Sequence, residues 1–217
     1  MSSINPHFTF QYSQPEDYHF SHDSVFLARQ VFESLEKKDF RSLRALDLCA
    51  GCGIIGLDFL FHCKQSSGPV PAQFDFLEVQ EIYKSHFEAN VKSLGTIPSD
   101  IRFLNYNYNE LLKLDFHKRY DLVLCNPPYF RHGQGKLSHS EFKNRCRFYL
   151  DSDFKTLLLA LQNSLSDHGK AFILLRDLSD HGWNAFAEAK EILGPSFNVE
   201  KVFDVRGTDV VCLTRNS

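Results

Sequence analysis

Asn126-Pro127-Pro128-Tyr129 is the stretch whose residue types most directly suggest chemistry. It follows an apolar run, Tyr120 to Cys125, that reads as a buried strand. Consecutive prolines offer no backbone N–H and each fixes its own φ, so a strand ladder must stop there. A stiff loop remains, presenting one amide side chain, free carbonyls and one aromatic ring. Such a set suits a flat group carrying an NH2, since carbonyls accept from the amine while the ring stacks on the plane. A plain strand-ending turn would use the same dipeptides. A second cluster, Asp47-Leu48-Cys49-Ala50-Gly51-Cys52-Gly53, joins an apolar run to an amphipathic segment. Gly51 and Gly53 can take φ > 0 and let a ligand lie against the backbone, facing the N–H groups that open the next helix. With Gly56 they satisfy G-x-G-x-x-G, a pattern that a tight turn without ligand also meets. Glu78 ends the next strand, where a carboxylate can accept both hydroxyls of a ribose; it equally suits a helix start. Asn105-Tyr106-Asn107 follows a further short strand and could offer an amide to an adenine edge or simply make a turn.

These groups need elements to hold them, and the pattern supplies an alternating series. A helix is expected over 21–35, with Ser21 as its cap and Val25, Phe26, Ala28, Val31, Phe32 and Leu35 on its apolar face. Strands are expected at 43–48, 73–77, 101–104, 120–125 and 171–175. Helices are expected at 54–63, 80–94, 151–166 and 181–193. Two final strands, 197–205 and 209–215, would meet across Arg206-Gly207-Thr208 as a hairpin. Alternation of this kind predicts an α/β fold: one Rossmann-like domain with a mostly parallel seven-stranded sheet, helices on both faces and a C-terminal antiparallel hairpin. Right-handed crossovers then bring the loops carrying Gly51, Glu78, Asn107 and Asn126 to one sheet edge, where a ligand crevice belongs.

Composition narrows the function. The chain has 217 residues and a formal charge of −3, so a nucleic-acid partner would have to be met by a local basic patch and not by the net field. Twenty-one phenylalanines should fill most of the core. No apolar run reaches membrane-spanning length, and a cytoplasmic protein with no membrane partner, acting as a monomer, is expected. Of the six cysteines, Cys49 and Cys52 have C-x-x-C spacing, but no second close pair completes a four-ligand zinc set, and no metal is expected.

The order Asp-Leu-x-Ala-Gly-x-Gly, then Glu78, then Asn-Pro-Pro-Tyr resembles the class I S-adenosylmethionine-dependent methyltransferases. More narrowly it is similar to the amino methyltransferases acting on adenine N6, and within them to small bacterial enzymes that methylate an adenine beside the anticodon of a valine tRNA. The segment from Tyr18 to Ala28 resembles that branch's N-terminal motif. The resemblance covers nearly the whole chain and implies a single methyltransferase domain over 1–217, with residues 1–40 packing on the cofactor site. It implies S-adenosylmethionine held by Asp23, Asp47, Gly51, Gly53, Glu78 and Asn107, the last standing where the family class usually has Asp. It makes Asn126, Pro127 and Tyr129 catalytic and tRNA the partner. Pro128, Phe130, Arg131, Lys136, Lys143 and Arg145 would then meet substrate, the basic ones on a mobile loop made flexible by Gly133 and Gly135.

Other acceptors satisfy part of this reading. Enzymes modifying a protein glutamine amide share the Asn-Pro-Pro-Tyr loop, though they usually carry an additional N-terminal helical domain, and ribosomal RNA remains an alternative substrate. A nicotinamide oxidoreductase would use the glycine turn but leave Asn126 to Tyr129 without a task.

Overall fold

A computed structural model describes residues 11–35 and 39–216. The first ten residues of the expected N-terminal segment, and residues 36–38, lie outside that range. The described chain forms a seven-stranded sheet in the order β3-β2-β1-β4-β5-β7-β6. The strands are β1 (Arg44–Leu48), β2 (Gln73–Leu77), β3 (Asp100–Leu104), β4 (Tyr120–Cys125), β5 (Leu165–Leu175), β6 (Phe197–Val205) and β7 (Thr208–Arg215). The first five run parallel, and β7 inserts antiparallel between β5 and β6. The helices are α1 (His22–Leu35), α2 (Ile54–Gln65), α3 (Tyr83–Leu94), α4 (Glu141–Arg147), α5 (Phe154–Ser164) and α6 (Ala185–Leu193).

Both sheet faces are covered, which explains why the central strands read as unbroken apolar runs. Their side chains alternate between two cores. Leu46, Leu48, Val123, Cys125, Ala171 and Ile173 meet α5 and α6 on one side. Ala45, Leu122, Leu124, Phe172 and Leu174 meet the layer holding α1 and α2 on the other. Gly56 lets α2 lie close on β2: a Cβ there would fall 2.4 Å from Phe76 Cε1.

The starts of α3, α5, β5 and α6 differ from the sequence expectation, each for a local reason. α3 begins at Tyr83 and not near 80, because the Gln80 N–H is taken by Glu78 Oε1 at 2.8 Å. α5 runs Phe154–Ser164, with Asp153 capping the Thr156 N–H, and passes directly into β5 at Leu165. The β4–β5 register shifts between Tyr120 and Leu122, whose partners are Leu165 and Lys170. α6 starts at Ala185, after Gly182 breaks a short 3₁₀ turn with φ +74°. The terminal hairpin turns on two residues, Arg206 and Gly207, both at positive φ, the geometry favoured by strand twist.

Candidate active site

The loops at the C-terminal edge of β1, β2 and β4, the start of α1 and the segment 145–152 enclose a cavity of about 400 Å³. That falls within the range of small-molecule sites, at the position expected for an open α/β sheet.

On one side lies the glycine loop. Ala50 N–H donates to Leu77 O at 3.0 Å and Gly53 N–H to Ala50 O at 2.8 Å, curling the loop back on itself. Gly51 has φ +53° and Gly53 φ +84°. A Cβ on Gly53 would lie 2.7 Å from Phe87 Cδ2, so both conformation and space demand glycine there. Glu78 is buried at the cavity wall and locks this loop: Oε2 accepts from Gly51 N at 2.9 Å and Oε1 from Gln80 N at 2.8 Å. Burial pushes its pKa up, and the two backbone donors oppose that shift. Each carboxylate oxygen keeps a further lone pair for a ligand hydroxyl.

Two of the expected cofactor ligands bond to the scaffold, one outside the cavity wall and one on it. Asp47 is fully buried and absent from the cavity wall; its Oδ2 accepts from Gly56 N at 2.8 Å, tying β1 to α2. Burial raises its pKa to about 8, against the pull of the Gly56 donor. Asn107 lines the cavity; its Oδ1 caps the Asn109 N–H at 3.0 Å and its Nδ2 donates to Asp151 O at 2.8 Å, leaving one N–H and one lone pair of the amide. Asp23 lines the cavity from the first turn of α1, with Ser21 Oγ capping its N–H at 3.1 Å and an Arg206 guanidinium nitrogen 3.7 Å from its carboxylate.

The opposite side is the diproline corner. Asn126 Nδ2 donates to Ser24 Oγ at 2.9 Å, across 102 residues of chain, leaving Oδ1 as the acceptor of that amide. Pro127 is buried. Tyr129 and Phe130 N–H groups both donate to Arg147 O, at 3.1 and 3.0 Å, and Tyr149 N–H donates back to Phe130 O at 2.9 Å. The loop is therefore clamped along its length. Among the described residues the Tyr129 hydroxyl is buried without a partner in hydrogen-bonding geometry. Burial first, then the nearby Asp23 charge, push its pKa up, while Arg176 opposes this. Phe130 packs on Phe148 with ring centroids 5.5 Å apart.

The segment after this loop is more ordered than the glycines suggested. Ser140 caps α4 through the Lys143 N–H, and Asn144 is buried, bonding both backbone groups of Ser138. Arg131 is ion-paired to Glu188 and stacked on Trp183, 4.3 Å from the ring centroid. Arg145 makes a bidentate pair with Asp151. Lys136 is exposed and Lys143 half-buried; neither lines the cavity.

Sequence reasoning did not single out Ser24, Arg176 or the 148–152 wall as parts of the site, while Arg147 fell at the end of the basic stretch read as a substrate patch. Nor did it find Gln80 and Tyr83, which reach Cys146 Sγ at 3.3 and 3.2 Å and close the floor beside Glu78. Only Ser24 carried a signal, as part of the Tyr18–Ala28 motif. Among the described residues no cluster of three or more His, Cys, Asp or Glu could hold a metal, and all six cysteines are unlinked.

Strand order, the reversed β7, a glycine loop locked by a carboxylate at the end of β2 and an Asn-Pro-Pro-Tyr corner facing it give the chain the fold and site layout of the class I S-adenosylmethionine-dependent methyltransferases. The residues present suit the cofactor: an open glycine loop, and a buried carboxylate with lone pairs to spare. A family model described as lysine methyltransferase matches residues 21–127. The chain is 27% identical over 171 residues to the tRNA1(Val) (adenine(37)-N6)-methyltransferase of a Shewanella species, covering 77% of this chain and 67% of that protein. It is 35% identical over 134 residues to the protein of that name from Vibrio vulnificus, covering 62% of this chain and 51% of the relative. Among solved structures it superposes on the 16S rRNA N2 methyltransferase RsmC of Thermus thermophilus, in complex with AdoMet and guanosine. That likeness has a TM-score of 0.62 at 15% identity, over 93% of this chain and 45% of that one.

Proposed function

We propose that this enzyme transfers a methyl group from S-adenosylmethionine to the N6 amine of an adenine in RNA, with an anticodon-loop adenine of a valine tRNA as substrate, in the cytoplasm. One observation carries the reading: the Asn126 amide is turned by Ser24 so that its oxygen is the acceptor left at the wall of the cavity that Glu78 and the glycine loop also line. Relatives named for this reaction support the choice of acceptor.

The bound cofactor supplies an electrophilic methyl. Gly51 and Gly53 give it backbone to lie against, Glu78 accepts its ribose hydroxyls, and Asp23 faces the amino-acid end. The protein's task lies with the acceptor, because the exocyclic nitrogen of adenine shares its lone pair with the ring and is a poor nucleophile. Asn126 Oδ1 and the Pro127 carbonyl would accept its two N–H bonds and pull the nitrogen toward tetrahedral geometry; as the new N–C bond forms the donor's S–C bond breaks to leave a neutral thioether, and the methylated nitrogen then gives up one proton to solvent. Rate enhancement then comes from alignment and preorganised dipoles. Tyr129, with Pro128 and Phe130 beside it, forms the face on which the extruded base stacks, a contact worth roughly 1–3 kcal/mol. A stacked base must be splayed out to reach it.

The lysine methyltransferase match ends at Pro127, inside the corner. It spans the cofactor-holding half and stops before Tyr129 and Phe130, so it bears little on the acceptor. A flexible ammonium acceptor would need a base to take its proton, and Asn126 is none.

The decisive experiment incubates the protein with labelled S-adenosylmethionine and bulk tRNA from a strain lacking the enzyme, then digests the RNA and identifies the labelled nucleoside. N6-methyladenosine confined to one tRNA species is expected. Label in protein, in ribosomal RNA alone, or in a different nucleoside would overturn the acceptor assignment.

A further inference from the structure

The arginines around the cavity fall into two sets. Arg131 and Arg145 are neutralised by Glu188 and Asp151. Arg147 and Arg176 line the cavity wall, as Arg145 does and Arg131 does not, yet among the described residues neither meets a carboxylate at ion-pair distance. Each is instead laid over an aromatic ring of the corner. The Arg176 guanidinium sits 6.0 Å from the Tyr129 ring centroid, and that of Arg147 5.5 Å from both the Phe130 and Phe148 centroids. Tyr129 and Phe130 are adjacent in sequence, so the two cations stand on neighbouring rings. Arg176 is exposed just beyond the end of β5, and Arg147 is half-buried at the end of α4.

A guanidinium resting on a ring keeps its N–H fork free at the edge and loses little further freedom when it binds. Forks of this geometry match phosphate oxygens two at a time. An uncompensated pair at the mouth, in a chain whose formal charge is −3, is a local anion site against the overall field. Resting on the proposed RNA reading, we infer that Arg147 and Arg176 grip the phosphates flanking the extruded adenosine, and that Arg131 and Arg145 are structural. The grip holds the backbone while Tyr129 and Phe130 receive the base, so that extrusion and anchoring occur on one pair of ring–guanidinium stacks.

The test measures RNA binding by fluorescence anisotropy, with unmethylated tRNA at a series of salt concentrations, for wild type, Arg147→Gln, Arg176→Gln and Arg176→Lys. Losing one phosphate contact should reduce the slope of log K against log salt by about 0.7. The KM for RNA should rise about tenfold, the effect of one charged hydrogen bond, with S-adenosylmethionine affinity and melting temperature as in wild type. Arg176→Lys should keep the salt slope, since the charge stays, and lose part of the affinity, since the fork does not. Arg131→Gln should lower the melting temperature and leave the slope unchanged. Wild-type slope and KM in both glutamine variants, with the wild-type protein methylating RNA, would overturn the phosphate assignment and leave the RNA reading standing. A wild-type protein that neither binds nor methylates RNA would remove both.

Discussion

The two halves of the cavity are built by different means. The cofactor half is held by backbone donors on buried carboxylates: Glu78 locks Gly51 and Gln80, and Asp47 locks Gly56. Its parts lie on consecutive βα units, so the strand ends deliver them together. The acceptor half is assembled from far apart. Asn126 is turned by Ser24, Tyr129 and Phe130 hang from Arg147, and Arg176 arrives from β5. One half is a local motif that a strand–loop–helix sequence encodes, and the other exists only once four separated segments have packed.

If the halves are separable, damage to one should spare the other. The largest effect is expected from Asn126→Ala. It should lower the rate of labelled-methyl transfer by about 10²–10³-fold, the loss typical of one preorganised polar group aimed at the reacting centre. Cofactor affinity, read by calorimetry, should stay near wild type; an equal fall in both would show the halves to be one unit. Next comes Gly56→Ala, which drives a Cβ to within 2.4 Å of Phe76 Cε1 and 2.9 Å of Phe74 Cε1. Overpacking of this kind should remove about 1–3 kcal/mol, lowering the melting temperature by roughly 2–4 °C for each kcal/mol.

Asp47→Asn gives a smaller, pH-dependent effect. The folded pKa of Asp47 is about 8 against an ordinary 3.8. Between those values the unfolded chain ionises and the folded chain holds its proton, so stability falls as pH rises through that window and is unaffected below it. The variant, which has no proton to lose, should show a shallower decline of melting temperature between about pH 4 and pH 8. A decline as steep as wild type would show that Asp47 titrates normally. The smallest change belongs to Cys49→Gly. Cys49 has φ +60°, a conformation that side chains adopt rarely. Glycine relieves that strain but loses the packing of the thiol, and the net stability change should stay within about 1 kcal/mol. A larger loss would mean that Cys49, which lines the cavity, supports the glycine loop through its side chain.

The same contrast explains what was legible. The parallel sheet, the reversed terminal hairpin, the glycine turn and Glu78 followed from periodicity and position, because each depends on neighbours a few residues away. The Asn-Pro-Pro-Tyr corner was legible as a corner. Asp47 misled, since a carboxylate at a strand end looks the same whether it faces a ligand or a helix N–H. The run from Arg131 to Arg147 looked like a free basic loop, yet Ser140 and Asn144 order it and Glu188 and Asp151 claim two of its arginines.

The chain's own order of residues determined the fold, the glycine loop proposed to take the cofactor and the amide proposed to face the acceptor, because strand and helix periods and the stiffness of proline act over short range. Only the tertiary structure decided which way that amide points, which carboxylates serve the scaffold and which arginines keep their charge uncompensated. Those depend on partners that folding brings together from distant positions, and a linear pattern carries no record of such distances.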